Sequence, residues 1–278
     1  MMFALGTTLT AGDLRRVLAR PAAFVVGLLA HTLLLPLVAF GLGFALPLET
    51  AVGLVIIASC PANATANLFT HYARGDTMLS VCLTAAASLV SVATLPLFVN
   101  LALAFFPAAP PGTRLPVFTS ALGLFLVSTL PALAGMRLRH TRPDAAARVE
   151  SRLSAGGLLL ILAVIAAAIW SERDTVGPAL VRAGAPALLL NVLTVCLAWG
   201  VSAAAGLERP QRVAVGLECG LQSFALAAFV CLTMLQRKAL LLPGIAYGLT
   251  MWLSAVAVVV IARRRAFGTR ASSANRHA

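Results

Sequence analysis

Glu218 is the acidic residue in this chain most in need of a chemical explanation. Of the nine Asp and Glu it alone lies inside a long apolar run, in the local sequence Glu218-Cys219-Gly220-Leu221-Gln222-Ser223. The other acids fall at the ends of apolar runs or in the connections between them. A carboxylate near the middle of a bilayer costs about 3 kcal/mol on insertion scales, so it faces a cavity, a cation or a proton path. A second polar interruption, Cys60-Pro61-Ala62-Asn63-Ala64-Thr65-Ala66-Asn67, brings amide and hydroxyl oxygens into another apolar run. Pro61 lacks an amide donor and clashes with the preceding turn, so it breaks a helix there and leaves carbonyls and amides in need of partners. A carboxylate and a cluster of neutral oxygens are ligands for a hard cation.

The elements that must position these groups are membrane helices. Hydrophobic residues make up 60% of the 278 and charged ones 11%, and the apolar runs reach the roughly 20 residues needed to cross a bilayer. They fall at 21–46, 50–73, 78–106, 116–137, 154–171, 179–206, 211–235 and 239–262, predicting eight crossings. The net charge of +12 does not imply nucleic acid, because the basic residues gather in connections and at the C-terminal end. With the connection holding Arg15, Arg16 and Arg20 on the cytoplasmic side, most of the 21 Lys and Arg fall inside. Only Arg114, Arg173, Arg182, Arg237 and Lys238 fall outside, so the positive-inside rule sets the orientation. The expected location is the plasma membrane of a bacterium (the inner membrane), with basic loops and C-terminus cytoplasmic. Cys60, Cys82, Cys196, Cys219 and Cys231 all lie in apolar runs, which predicts packing residues rather than a disulfide framework. His71 and His140 have no zinc-like spacing.

Residues 21–106 and 179–262 share a pattern of a long span, an interrupted span and a long span. Three spans apiece invert the second set relative to the first. Inverted repeats with one broken helix each place a binding site near the midplane, where the breaks meet. The start, Met1 to Leu9, is apolar but too short to span, and reads as the end of a helix whose beginning is missing. Met1 or Met2 is then either an internal methionine taken as the start or the start of a shortened version.

These residues carry a resemblance. Met2 to Gly6, Leu9, Asp13, Pro21, Pro36, Cys60-Pro61, Asn67, Thr70, Ala73-Arg74-Gly75-Asp76, Leu79-Ser80 and Thr84, with Glu218, Gly220 and Gln222, resemble the bile acid:sodium symporter family over nearly the whole chain. The resemblance implies an all-α integral membrane protein, an inverted-repeat secondary transporter with two discontinuous crossing helices. About eight complete transmembrane helices of a ten-helix fold are expected, the first helix and most of the second being absent. Residues 1–10 would be the remnant of a panel-domain helix. A first core repeat is expected over 20–107 with its broken helix at 50–73, and panel helices over 116–171. The second core repeat is expected over 178–264 with its broken helix at 211–235, followed by a cytoplasmic tail over 265–278, disordered from Ala266.

It also implies sodium as coupling ion and an organic anion as substrate, with membrane lipid around the chain, no nucleic acid and no enzymatic activity. The first sodium place maps onto Asn67, Ser80, Thr84 and Glu218, with Ala66 replacing the family's serine ligand. The second maps onto Glu218, Cys219, Leu221 and Gln222, with His31 where the family has glutamine. An imidazole nitrogen is a poor sodium ligand. His31 is therefore expected either to carry a proton in place of the second sodium or to hydrogen-bond a helix carbonyl and carry nothing, so one or two sodium ions are expected. Asn63, Thr65 and Ser223 are the expected substrate contacts, beside restarting helices whose amide-rich ends favour an anion. Loss of the family's paired glycines at Ala62 and Asn63 leaves the anion open between a bile-acid-like steroid and a small carboxylate such as pantoate or a keto acid. Two other readings stand beside symport: an arsenite-type metalloid exporter, suggested by Cys60 and Cys219, and a non-transporting truncated homologue. Oligomeric state is not legible.

Overall fold

The computed structural model describes residues 3, 6, 7, 12, 21–106, 114–149 and 173–274. The described residues are helical almost throughout, with no strand among them beyond one isolated bridge. Helix α1 spans Pro21–Gly43, α2a Leu48–Ala58, α2b Thr65–Tyr72, α3 Thr77–Phe105 and α4 Val117–Thr141. Further on lie α5 (Arg173–Ala204), α6a (Arg209–Gly220), α6b (Phe224–Met234) and α7 (Leu242–Ala274). Five continuous stretches among the described residues are long and apolar enough to cross a membrane, one each in or around α1, α3, α4, α5 and α7. The two broken pairs, α2a/α2b and α6a/α6b, correspond to the interrupted runs read from the sequence. The expected crossing at 154–171 lies outside the described residues, as do most of residues 1–10.

Prolines account for much of the local shape. In α1 the turn Ala30–Leu34 widens to π geometry just before Pro36, and in α4 Phe125–Thr129 does the same before Pro131. A proline ring would strike the carbonyl one turn back, and the extra residue in the turn relieves the clash. That widened turn of α1 carries His31. Pro61 ends α2a differently: the residue before a proline is driven out of helical geometry, and the chain leaves the helix at Ser59 and resumes only at Thr65. Helix α6a starts on a reciprocal capping box between Glu208 and Gln211 with Pro210 in its first turn, and ends at Gly220.

Helix α7 departs from expectation at its end. It continues through Ala274, beyond the Ala266 at which a disordered tail is expected. Arginine is a good helix former and Arg263-Arg264-Arg265 carries no break signal, so leaving the apolar run does not end the helix. Among the first residues, Phe3, Gly6 and Thr7 are helical and Gly6 meets α4. A Cβ on Gly6 would strike the carbonyl oxygen of Ala132, a close approach that only glycine permits.

Helix α3 is anchored where it begins. Asp76 caps it, accepting from the Leu79 amide at 3.0 Å, and donates its own amide to the Pro210 carbonyl at 2.9 Å. Asp76→Ala should lower stability by about 1 kcal/mol, read as a lower melting temperature of the purified protein, and Asp76→Asn should recover most of it.

Candidate functional site

The two breaks meet. Ala62 and Gln222 form an antiparallel bridge, the Asn63 amide donates to the Leu221 carbonyl at 2.9 Å, and the Ser223 amide donates to the Pro61 carbonyl at 3.0 Å. Each break thus satisfies backbone groups freed by the other, the condition for irregular backbone at membrane depth. At this crossing two helices end, α2a and α6a, and two begin, α2b and α6b. The Gln222 side chain turns back onto the end of α6a, its Nε2 donating to the Cys219 carbonyl at 3.1 Å and standing 3.5 Å from that of Glu218.

Glu218 is buried in the last turn of α6a and reaches toward α2b and α3. Its Oε1 lies 2.5 Å from Ser80 Oγ and 2.8 Å from Thr84 Oγ1. Asn67 Oδ1 lies 2.8 Å from Ser80 Oγ and 3.4 Å from Thr84 Oγ1. Ser80 and Thr84 are one turn apart on α3, which puts both hydroxyls on one face. All four residues expected at the first sodium place come together. A fifth, Thr70, was not expected there as a ligand: its hydroxyl donates to Ser80 Oγ at 3.3 Å. Its position on α2b, one turn after Asn67, was the available signal.

The cluster holds more acceptors than hydrogens. The Ser80 hydroxyl has one hydrogen and two oxygens to serve, Asn67 Oδ1 and Glu218 Oε1, while Glu218 Oε2 is buried with no hydrogen-bond partner. A proton on Oε1 would donate to Ser80 Oγ and release the Ser80 hydrogen to Asn67, but would leave the buried Oε2 unpartnered, so it would not satisfy every oxygen. A cation touching several of these oxygens would. The set is all oxygen, with one carboxylate, which suits a hard cation and not a soft one. The residues present therefore fit sodium, even with Ala66 in place of a hydroxyl.

The second expected place is organised around His31. Its Nδ1 lies 3.2 Å from the Glu218 carbonyl oxygen and its Nε2 3.2 Å from that of Cys60. The ring thus joins the C-terminal ends of α2a and α6a. The Cys60 carbonyl was not anticipated, because a backbone atom leaves no mark in residue type. Of the other expected members, the Cys219 carbonyl accepts from Gln222 and the Leu221 carbonyl from Asn63, while Gln222 Oε1 is buried without a partner. The expected substrate contacts lie at the crossing: Asn63 Oδ1 accepts from the Thr65 amide at 3.4 Å, Thr65 Oγ1 is buried without a partner, and Ser223 is buried.

Residues 1–178 match the sodium bile acid symporter family. The chain belongs to that family. Among its relatives is an "uncharacterized sodium-dependent transporter" of Bacillus subtilis strain 168, 28% identical over 82% of this chain and 70% of the relative. The human ileal sodium/bile acid cotransporter is 27% identical over 83% of this chain and 66% of its own length. The rat sodium-dependent organic anion transporter is 26% identical over 62% of this chain and 47% of its own. This member of the sodium bile acid symporter family is an integral membrane protein, and its relatives are sodium-dependent transporters.

Proposed function

We propose that the chain is a sodium-coupled symporter of an organic anion, working by alternating access and not as an enzyme. The observation that carries this reading is the excess of buried oxygen acceptors around Glu218, which a sodium ion held by Asn67, Ser80, Thr84 and Glu218 balances. The crossing supports the substrate half. Asn63, Thr65 and Ser223 stand where α2b and α6b begin, and helix starts favour an anion such as a bile-acid-like carboxylate, pantoate or a keto acid. The cation and the anion would then sit on adjoining parts of one crossing, so each lowers the cost of binding the other.

In this reading the spans over 20–107 and 178–264 form inverted core repeats that move against a panel including α4. The basic connections and the C-terminus face the cytoplasm of a bacterium. We propose one sodium ion per cycle, with the His31 ring in the second place. Neutral imidazole has a single N–H, whereas both nitrogens of His31 face carbonyl oxygens; a protonated ring donates to both. Cys60, Cys219, Cys231, Tyr247 and Glu218 are titratable side chains around these helix ends, and the Glu218 carboxylate is turned away toward Ser80 and Thr84. Metalloid export is disfavoured because the Cys60 thiol donates to the Ile56 carbonyl of its own helix at 3.3 Å, turning away from a shared thiolate site.

Uptake of radiolabelled taurocholate, pantoate and pyruvate into proteoliposomes tests the reading. An inward sodium gradient should drive uptake of at least one, and an equal choline gradient should drive none. Uptake indifferent to sodium, or metalloid export lost in Cys60→Ala, would favour the alternatives.

A further inference from the structure

The turn that carries Glu218 is held from two sides. On one side Ser80 and Thr84 hold the carboxylate. On the other, two buried polar side chains that the proposed coupling site does not use meet the end of the same helix. Asn191 on α5 donates from Nδ2 to the Gly220 carbonyl at 2.7 Å and to the Tyr247 hydroxyl oxygen at 2.9 Å. Tyr247 on α7 in turn donates from its hydroxyl to the same Gly220 carbonyl at 3.1 Å. Asn191 spends its two amide hydrogens and Tyr247 its one, so the three groups close a triangle with every donor used. Both side chains are buried, with no exposed surface.

The end of α6a has no freedom on this face either. A Cβ on Gly220 would fall 2.8 Å from Val195 Cγ2, so α5 lies directly against the turn. A helix's last carbonyls lack intrahelical partners, and in a dry interior two side-chain donors on one of them hold it in a defined direction. Gly220 is two residues after Glu218, within the same turn. The first break has a counterpart: the Cys60 carbonyl past the end of α2a is met by His31, from the long helix that precedes it, as Asn191 comes from the long helix preceding α6a.

We propose that Asn191 and Tyr247 are positioning residues for the coupling cation. They fix the Gly220 carbonyl, and so the turn that aims Glu218 at Asn67, Ser80 and Thr84, without touching the ion. This rests on the reading of the Glu218 cluster as a sodium place. Its consequence is that removing the clamp weakens sodium binding while leaving all the proposed side-chain ligands in the chain.

Sodium alone is a sufficient probe. The full chain in detergent micelles is melted in mixtures of sodium chloride and choline chloride at constant total salt, giving a sodium midpoint for stabilisation. Tyr247→Phe, which keeps the ring and loses only the hydroxyl, should raise that midpoint roughly three- to tenfold, the worth of one buried hydrogen bond. Asn191→Ala should raise it further, and the double variant should be no worse than Asn191→Ala, because both act through one carbonyl. Midpoints equal to wild type in Tyr247→Phe would overturn the proposal, even if melting in choline alone were lowered, since that is the mark of a merely structural role. Should Asn191→Ala not fold, Tyr247→Phe decides. Glu218→Gln separates the underlying reading: a wild type without sodium-specific stabilisation, or a Glu218→Gln protein that titrates like wild type, removes the cation place itself and the clamp with it.

Discussion

Glu218→Gln should abolish sodium-driven uptake and raise the sodium midpoint at least a hundredfold, while making the sodium-free protein more resistant to heat at a pH that ionises Glu218. The two effects have one cause. Glutamine is nearly the same shape as glutamate and keeps an oxygen for Ser80 and Thr84, which lie 2.5 and 2.8 Å from Oε1. It removes the charge. Taking away one partner of a buried ionic contact costs about 3–5 kcal/mol, and about 1.4 kcal/mol corresponds to tenfold in affinity. In sodium-free medium, at a pH where the carboxyl is ionised, the sign reverses: wild type then carries a buried charge whose Oε2 has no partner, whereas the variant leaves only a neutral amide unpaired there, at smaller cost. Wild type should regain stability as sodium is added, by about 2.7 kcal/mol at a hundred times its dissociation constant, and the variant should not. Melting curves of both proteins in choline and in sodium measure this directly. Equal sodium stabilisation of the two would remove Glu218 from the coupling site.

The parts of the site that residue type alone reveals are those where an ordinary membrane helix would not tolerate the residue. Glu218 in an apolar run, Pro61 followed by asparagines, and hydroxyls four apart at Ser80 and Thr84 are all of that kind, and the structure gathers them at one crossing. The contributions that were missed are of two other kinds. Backbone carbonyls, such as those of Cys60 and Gly220, are present in every residue and become special only where a helix stops. Thr70, Asn191 and Tyr247 are residues that membrane helices carry routinely, Thr70 back-bonded and the others packed, so only the neighbours that tertiary structure supplies distinguish them. The end of α7 was misjudged for a different reason. An apolar run marks where lipid contact stops, whereas a helix stops where a cap or breaker occurs, and Arg263 to Arg265 provide neither.

His31→Gln should change the number of sodium ions bound, from one to two. The ring stands with one nitrogen 3.2 Å from each of two carbonyl oxygens, those of Cys60 and Glu218, at the C-terminal ends of two helices. Such ends carry partial negative charge and favour a positive group, and in the proposed reading a protonated imidazole serves them both. Glutamine brings an amide oxygen into the same space. The Cys60 and Glu218 carbonyls, the new amide oxygen and Gln222 Oε1, which is buried without a partner, then make a second all-oxygen set of the kind a hard cation takes. The dependence of sodium stabilisation on concentration reports the count: its limiting slope should be that of one ion in wild type and should approach that of two in His31→Gln. The rate of sodium-driven uptake should follow with a Hill coefficient rising from about 1 toward 2, within the ceiling set by the number of sites. A wild type that already binds two ions would show that the ring leaves room for a cation beside it. A variant that still binds one would mean that these carbonyls need no positive partner beyond the amide of Gln222, whose Nε2 already donates to Cys219, and that the ring only braces the two helix ends.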